Sequence, residues 1–177
     1  ASADMNKKFD SSRFIIVHLG GGISVNAVEN GKIIDVSETR QTGPFSPTSC
    51  GDLPIKQFMK WLKESKYPAD KISDLFNKKG GLIYYFGTDN VKELVEKSEK
   101  DEHVREVLEA LCYNIAKNVM ALHVPLKNNI DAVIFTGGIA HSDKIISWIT
   151  QWFGGKVKTM IIPGEYEMEA LALGALR

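Results

Sequence analysis

Three consecutive glycines, Gly20-Gly21-Gly22, interrupt what otherwise reads as continuous β structure. The run from Phe14 to Val17 before them is apolar, and after them Ile23, Val25 and Ala27 alternate with Ser24 and Asn26. An apolar period of two predicts a strand packed on one face. The spacing therefore predicts a strand over 15–19, a bare turn, and a second strand over 22–28. Asn30-Gly31 follows as a two-residue hairpin signal, because both central positions of the favoured turn need positive φ. With a third strand over 32–36, the chain opens as an antiparallel meander whose first turn carries no side chains. Bare turns let backbone N–H groups approach an anion such as a phosphate. A plain hairpin turn needs fewer glycines than this one has, and a second Gly-Gly turn, Gly137-Gly138, recurs far downstream.

Residues 37–53 show no apolar period and hold Gly43-Pro44, Ser46-Pro47 and Cys50-Gly51, which reads as a long loop, either functional or mobile. Helices are expected over 54–65, burying Ile55, Phe58, Met59 and Leu62, and over 69–77, burying Ile72, Leu75 and Phe76. Gly80-Gly81 reads as a glycine cap closing the second of these. The apolar run 82–86 is a strand or a buried loop. Gly87-Thr88-Asp89 then caps a helix from about Asn90, and the mixed charges over 92–106 read as a solvated helix face with i,i+4 pairs.

Val104, Val107, Leu108, Leu111, Ile115, Val119 and Leu122 give the clearest helical stripe, a long helix over 102–124. His103 and His123, at its ends, read as solvated groups or dipole partners. A strand over 131–136 leads to Gly137-Gly138, and Ser142 or Asp143 caps the next helix, which buries Ile145, Ile146, Ile149 and Trp152 or Phe153. A last strand over 156–162 and a last helix over 165–176 complete the chain. A meander followed by two βα units predicts an α/β domain of ribonuclease-H-like type, a mixed five-stranded sheet flanked by helices. Both glycine turns then fall outside strand ends, where ligands bind in such sheets.

Bulk properties exclude several partners. Formal net charge is zero and the pI is about 7.1, so no basic field marks a nucleic-acid binder. No apolar run is long enough to span a bilayer, and the polar first twelve residues have no secretory core. A cytoplasmic location is expected, with Cys50 and Cys112 as free thiols. The first residue is Ala1, and 1–12 reads as a polar lead-in, the end of an upstream helix, ahead of a nucleotide-binding domain over 13–177.

Five stretches, taken together and in order, are similar to one family. They are His18-Leu19-Gly20-Gly21-Gly22-Ile23-Ser24-Val25, Gly43-Pro44-Phe45-Ser46-Pro47, Phe135-Thr136-Gly137-Gly138-Ile139-Ala140, Pro163-Gly164-Glu165 and Glu167-Met168-Glu169-Ala170-Leu171-Ala172-Leu173-Gly174-Ala175-Leu176. Over about 13–177 the chain resembles the second domain of the acetokinase family, on its butyrate kinase side, within the superfamily of sugar kinases, Hsp70 and actin. The resemblance implies ATP-dependent phosphorylation of a short-chain fatty acid to an acyl phosphate, with Mg2+, by a homodimer. It implies a phosphate cradle at Gly20, Gly21 and Gly22, with His18 donating a hydrogen bond beside it. Gly137, Gly138 and Ile139 would lie along the adenosine, with Ser142 at the next helix start. Thr88, Asp89 and Asn90 fall where the family has another nucleotide-contacting loop, although helix capping explains Thr88 and Asp89 equally well. Glu165 or Glu167 matches an acidic pair near the magnesium.

Two departures stand out. Where the family carries an arginine that stabilises charge on the transferring phosphoryl group, this chain has Ser49, and Arg40 is the candidate substitute. The family's first domain has no counterpart before Ala1, so the 177 residues alone are expected to turn over no carboxylate. The acceptor is left open among butyrate, isobutyrate, propionate and acetate. The rival from another class is a non-catalytic actin-like nucleotide-binding module, which Ser49 favours. A ribonuclease-H-type nuclease fails, because Asp35 stands alone on the early strands where two metals would need a carboxylate set.

Overall fold

The alternation around the glycines is realised as three antiparallel strands, β1 (Arg13–Leu19), β2 (Ile23–Glu29) and β3 (Lys32–Glu38). Asn30 and Gly31 sit at φ 53° and 76°, the left-handed pair that the tight hairpin demands. The structure, a computed structural model, describes residues 5, 7–39, 43–155 and 157–164. After the meander come α1 (Ile55–Ser65), α2 (Ala69–Lys78), α3 (Gly81–Phe86), α4 (Val91–Lys97) and α5 (Glu102–Ala121). The chain re-enters the sheet as β4 (Ala132–Thr136), turns through a 3-10 segment (Gly138–His141) into α6 (Asp143–Thr150), and returns as β5 (Thr159–Ile161). Strand order is β3-β2-β1-β4-β5, with β1, β4 and β5 mutually parallel. This is the mixed five-stranded ribonuclease-H-like sheet expected from the element order.

Alternation along β1 sends Ile15, Val17 and Leu19 to one face, joined by Val25, Ala27, Val133 and Phe135 from the neighbouring strands. The α5 stripe packs on that face, and all seven of its expected residues are buried. Full burial of one such Leu or Ile contributes about 1.5–3 kcal/mol, so this helix anchors the core. Asp101 caps it, its side chain accepting from the Val104 N–H at 3.2 Å. The opposite face carries a smaller cluster, Phe14, Val28, Ala132 and Ile134. Period two also places His18 opposite in direction to Leu19, beside Ser24 on β2 and Thr136 on β4.

Several expectations need correction. Residues 82–86 belong to neither a strand nor a loop but to the short helix α3, ended by Gly87 at φ 72°, whose N–H bonds the Ile83 carbonyl. A five-residue apolar run has no period to tell these apart. Gly80 is not a left-handed cap, since its φ is −87°. It is bare because a Cβ there would lie 2.5 Å from the Cys50 nitrogen. Helices α1 and α2 bury no residue fully, and Ile55 and Met59 are exposed. They meet instead through aromatic rings, with Phe76 edge-on to Phe58 at 5.6 Å and to Trp61 at 5.3 Å.

His123 is buried, with no hydrogen-bond partner for Nε2 among the described residues, and burial pushes its pKa down. The expected solvated helix-end histidine is therefore wrong for this residue. Of the two candidate aromatics after α6, Phe153 is the buried one and stacks on Phe135, while Trp152 is exposed. Asp131 lies just before β4 rather than in it. Burial works against its charge, but hydrogen bonds from Lys7 and the Arg13 N–H outweigh burial and hold the carboxyl below its usual range. Cys50 and Cys112 are free thiols, and burial pushes Cys112 up to about 12. The last helix expected over 165–176 lies outside the described residues. No described helix is long and apolar enough to cross a membrane.

Candidate functional site

β1 and β4 are parallel neighbours with His18 opposite Thr136, so the glycine turns that follow them open side by side at the C-terminal ends of these strands. Gly137 seals this junction. Its φ is 90°, and a Cβ there would lie 2.5 Å from the Leu19 carbonyl oxygen. It also exchanges two backbone hydrogen bonds of 3.1 Å with Gly164. The first turn is held from the other side, where the Gly21 carbonyl accepts from the Thr48 N–H at 3.1 Å and from Thr48 Oγ1 at 2.9 Å. Further backbone bonds tie Gly43 to Glu38, Cys50 to Phe76 and Gly80 to Thr48. The described part of the long loop, from Gly43 onward, is thus stitched to the glycine turn and to α2.

The glycines differ in why they are bare. A Cβ on Gly20 would press on His18 Nε2 at 3.0 Å, so Gly20 seats the imidazole. Among the described residues, a Cβ on Gly22 or on Gly138 would meet nothing within 4 Å, and neither residue has positive φ. None of the described residues requires these two to lack a side chain. The space they leave faces outward, as a cradle for a bound group would.

A cavity of about 880 Å3 opens between the turns, within the range that holds a ligand of nucleotide size. Gly20, Gly21 and Pro47 form one side, Gly138, Ile139, His141 and Ser142 another, and Asp89, Asn90, Val91, Lys92, Val95 and Glu96 the third. Asn90 and Ser142 cap α4 and α6, accepting from the N–H groups of Glu93 at 3.2 Å and Ile145 at 3.3 Å. Two helix N-termini therefore border the cavity, each with first-turn N–H groups that lack intrahelical partners and favour negative charge. Pro47, Val95 and Ile139 supply apolar wall. The arrangement suits a ligand with an anionic end and a flat apolar body.

Of the residues singled out in the sequence, Gly20, Gly21, Asp89, Asn90, Gly138, Ile139 and Ser142 line this cavity. His18 and Gly22 line a smaller one of about 220 Å3 on the Gly22 side of the turn, with Ser24, Thr39, Thr48, Ser49 and Asn77. Ser49 is buried there, and its Oγ has no hydrogen-bond partner among the described residues. Thr88 and Gly137 line neither. Thr88 Oγ1 accepts from the Asn90 N–H at 3.1 Å, a turn contact, and Gly137 serves the strand junction. Arg40, Glu165 and Glu167 lie outside the described residues. Among the described residues, no group of three His, Cys, Asp or Glu side chains forms a metal site.

The sequence reading missed Pro47, Val91, Lys92, Val95, Glu96 and His141. The four on α4 share one helical face, and its period continues directly from Asp89-Asn90. Their charge was read as solvated surface. That holds for the ion pairs Lys97–Asp101 and Arg105–Glu109 further along, but Lys92 and Glu96 border the cavity.

A profile of the acetokinase family matches residues 1–152. Among curated proteins, the chain is 40% identical over 176 residues to a probable butyrate kinase of Thermotoga petrophila, covering 99% of this chain and 49% of that protein. It is 38% identical over 177 residues to a probable butyrate kinase of Phocaeicola vulgatus, covering 99% of this chain and 50% of that one. Among solved structures, acetate kinase of Porphyromonas gingivalis superposes with a TM-score of 0.83 at 21% identity, over 99% of this chain and 52% of that one. A propionate kinase of Francisella tularensis gives 0.83 at 23% identity, over 94% and 49%. The chain spans about half the length of the curated relatives it matches.

Proposed function

The chain belongs to the acetokinase family, and from that premise we propose that it supplies the nucleotide-binding half of an enzyme that phosphorylates a short-chain fatty acid with ATP. The observation that carries the proposal is the convergence of three distant segments, Gly20-Gly21, Asp89-Asn90 and the stretch holding Gly138, Ile139 and Ser142, on one cavity bordered by two helix N-termini. In this reading the phosphates lie over Gly20, Gly21 and Gly22. The adenosine runs along Gly138 and Ile139 toward Ser142, with Asp89 and Asn90 facing it. Thr88 and Gly137 shape these contacts without touching the ligand.

The reaction needs no protein nucleophile. A carboxylate oxygen attacks the terminal phosphorus, the new O–P bond gives the acyl phosphate, and the bond to the bridging oxygen breaks to release ADP. The protein's work is to position the groups and offset charge. His18, on the Gly22 side of the turn, is proposed to donate a hydrogen bond to the transferring phosphoryl. Ser49 offers a hydroxyl in place of a guanidinium, and Arg40 is proposed to supply the missing positive charge. Glu165 or Glu167 is proposed to hold Mg2+, which when bound would supply positive charge to the phosphates. Butyrate is the proposed acceptor, on the names of the relatives. A cytoplasmic homodimer is part of the same reading.

The buried, uncharged Ser49 favours a second reading, a nucleotide-binding module without catalysis. Trapping the acyl phosphate with hydroxylamine separates the two. A protein carrying both halves is expected to yield butyryl hydroxamate from ATP and butyrate, while these 177 residues alone bind ADP and yield none. ADP binding by the two-half protein with no hydroxamate from any short-chain acid decides for the module.

A further inference from the structure

Resting on the homodimer of that reading, we infer that it forms through the outer face of α5, two copies lying antiparallel about a two-fold axis near Lys117 and Met120. One face of α5 packs on the sheet, and the outward face of such a helix is ordinarily polar. Here that holds only for the first half, where Glu102, Arg105, Glu106 and Glu109 are exposed. Tyr113, Lys117 and Met120 then follow at helical spacing, and Val124 continues the line just past the helix end. Three of these four are large apolar side chains left exposed, Val124 at 72%. Trp152 widens the strip, its exposed ring edge-on to Tyr113 at 5.0 Å. The Lys117 ammonium sits 6.0 Å from the centre of the Tyr113 ring, on a stem that can lie against apolar surface while the charge stays wet. Tyrosine, tryptophan and methionine are the residues enriched where proteins meet.

Two observations select a second copy of this chain as the occupant. The first is position. α5 leads through a turn into β4, whose first residue, Ala132, pairs with Phe14 near the start of β1. Met120 and Val124 therefore lie toward the strand starts, whereas the glycine turns and their cavity lie beyond the strand ends. A half of the protein that brings an acceptor to the phosphates sits at those ends, away from this strip.

The second is charge. Glu106 and Glu109 stand before the strip and Lys127 stands after it, all exposed. An antiparallel copy turned about the middle of the strip sets Tyr113 against Val124 of the partner subunit, and Glu109 opposite the partner's Lys127. A parallel copy would set like charges together. The surface is thus self-complementary in both apolarity and charge, as an isologous two-fold interface requires. α5 spans about 30 Å, long enough for an antiparallel helix pair to bury the whole strip.

Sedimentation equilibrium of the full chain, with ADP titrated into the same samples, tests the inference. The wild-type chain is expected to be a dimer at micromolar concentration. Met120→Asp and Val124→Asp each put a charge into the strip and should weaken the dimer about a hundredfold, with the far-ultraviolet dichroism and the ADP affinity unchanged. Glu109→Lys and Lys127→Glu should each weaken it about tenfold, because every pair occurs twice across a two-fold axis, and the double variant should recover most of that loss. Such recovery separates pairing from damage to the fold, which a second reversal does not repair. A monomeric wild type overturns the inference. So does a dimer indifferent to both aspartates, which uses another face, and so does a double variant no better than its parents. With ADP still bound, each of these outcomes leaves the nucleotide reading intact. A chain that dimerises as expected and binds no ADP supports the surface and removes the proposed function instead.

Discussion

Gly137→Ala is expected to cost roughly 3 kcal/mol or more, lowering the thermal midpoint by about 6–12 °C for a domain of this size. Two effects add. At φ 90° and ψ 172°, Gly137 occupies a region that is open essentially to glycine alone. Its new methyl would also lie 2.5 Å from the Leu19 oxygen and 2.8 Å from the Leu19 carbonyl carbon, and backbone cannot swing aside as a flexible side chain does. The clash falls where β1 and β4 end together, so relief would have to move one glycine turn relative to the other. A melt followed by circular dichroism checks this, and a shift under about 2 °C would show that the junction yields more easily than its geometry implies.

Gly138→Val, one residue along, is expected to behave in the opposite way. Its Cβ enters open space and its φ is ordinary, so stability should stay within about 0.5 kcal/mol. The added side chain occupies the cavity between Gly20-Gly21 and Ile139. ADP affinity should fall on the order of a hundredfold, equivalent to about 2.7 kcal/mol. Neighbouring glycines would then separate architecture from ligand contact, as measured by melting and by ADP titration of the same two variants. A Gly138→Val protein that binds ADP like the wild type would place the nucleotide elsewhere.

How much of this was legible in the sequence varied with the strength of the local signal. The meander was readable because β1 carries an apolar run, β2 alternates over 23–27, and Asn30-Gly31 admits almost one turn geometry. Helix α5 was readable because its stripe holds one period over twenty residues. Helix α3 was not, since a single turn carries no period and its termination depends on a glycine that also suits loops. Phe58 and Phe76 were expected on the inward faces and do meet, but Trp61 was missed because helix-face counting ranks Ile55 and Met59 above it, while the rings decide which side meets. His123 was misread because burial at a helix end is set by what packs over it, which no local pattern records.

The site divides along the same line. Its glycines were legible because bareness without a turn requirement is itself a signal, as Gly22 and Gly138 show. The structure sharpened this by giving Gly20 and Gly137 internal reasons to be glycine, a seat for His18 and a strand junction respectively. The α4 wall was illegible because Lys92 and Glu96 look like any solvated pair until the helix is placed against the turns.

The two glycine turns and α4 are proposed to enclose one nucleotide site. Titrating ADP into the isotope-labelled chain and following backbone amide resonances tests it most directly. Saturable shifts are expected at Gly20, Gly21, Asn90, Gly138, Ile139 and Ser142, with little change on β3 or on α1. Saturable binding whose shifts avoid both glycine turns, or no shifts at millimolar ADP, would contradict it.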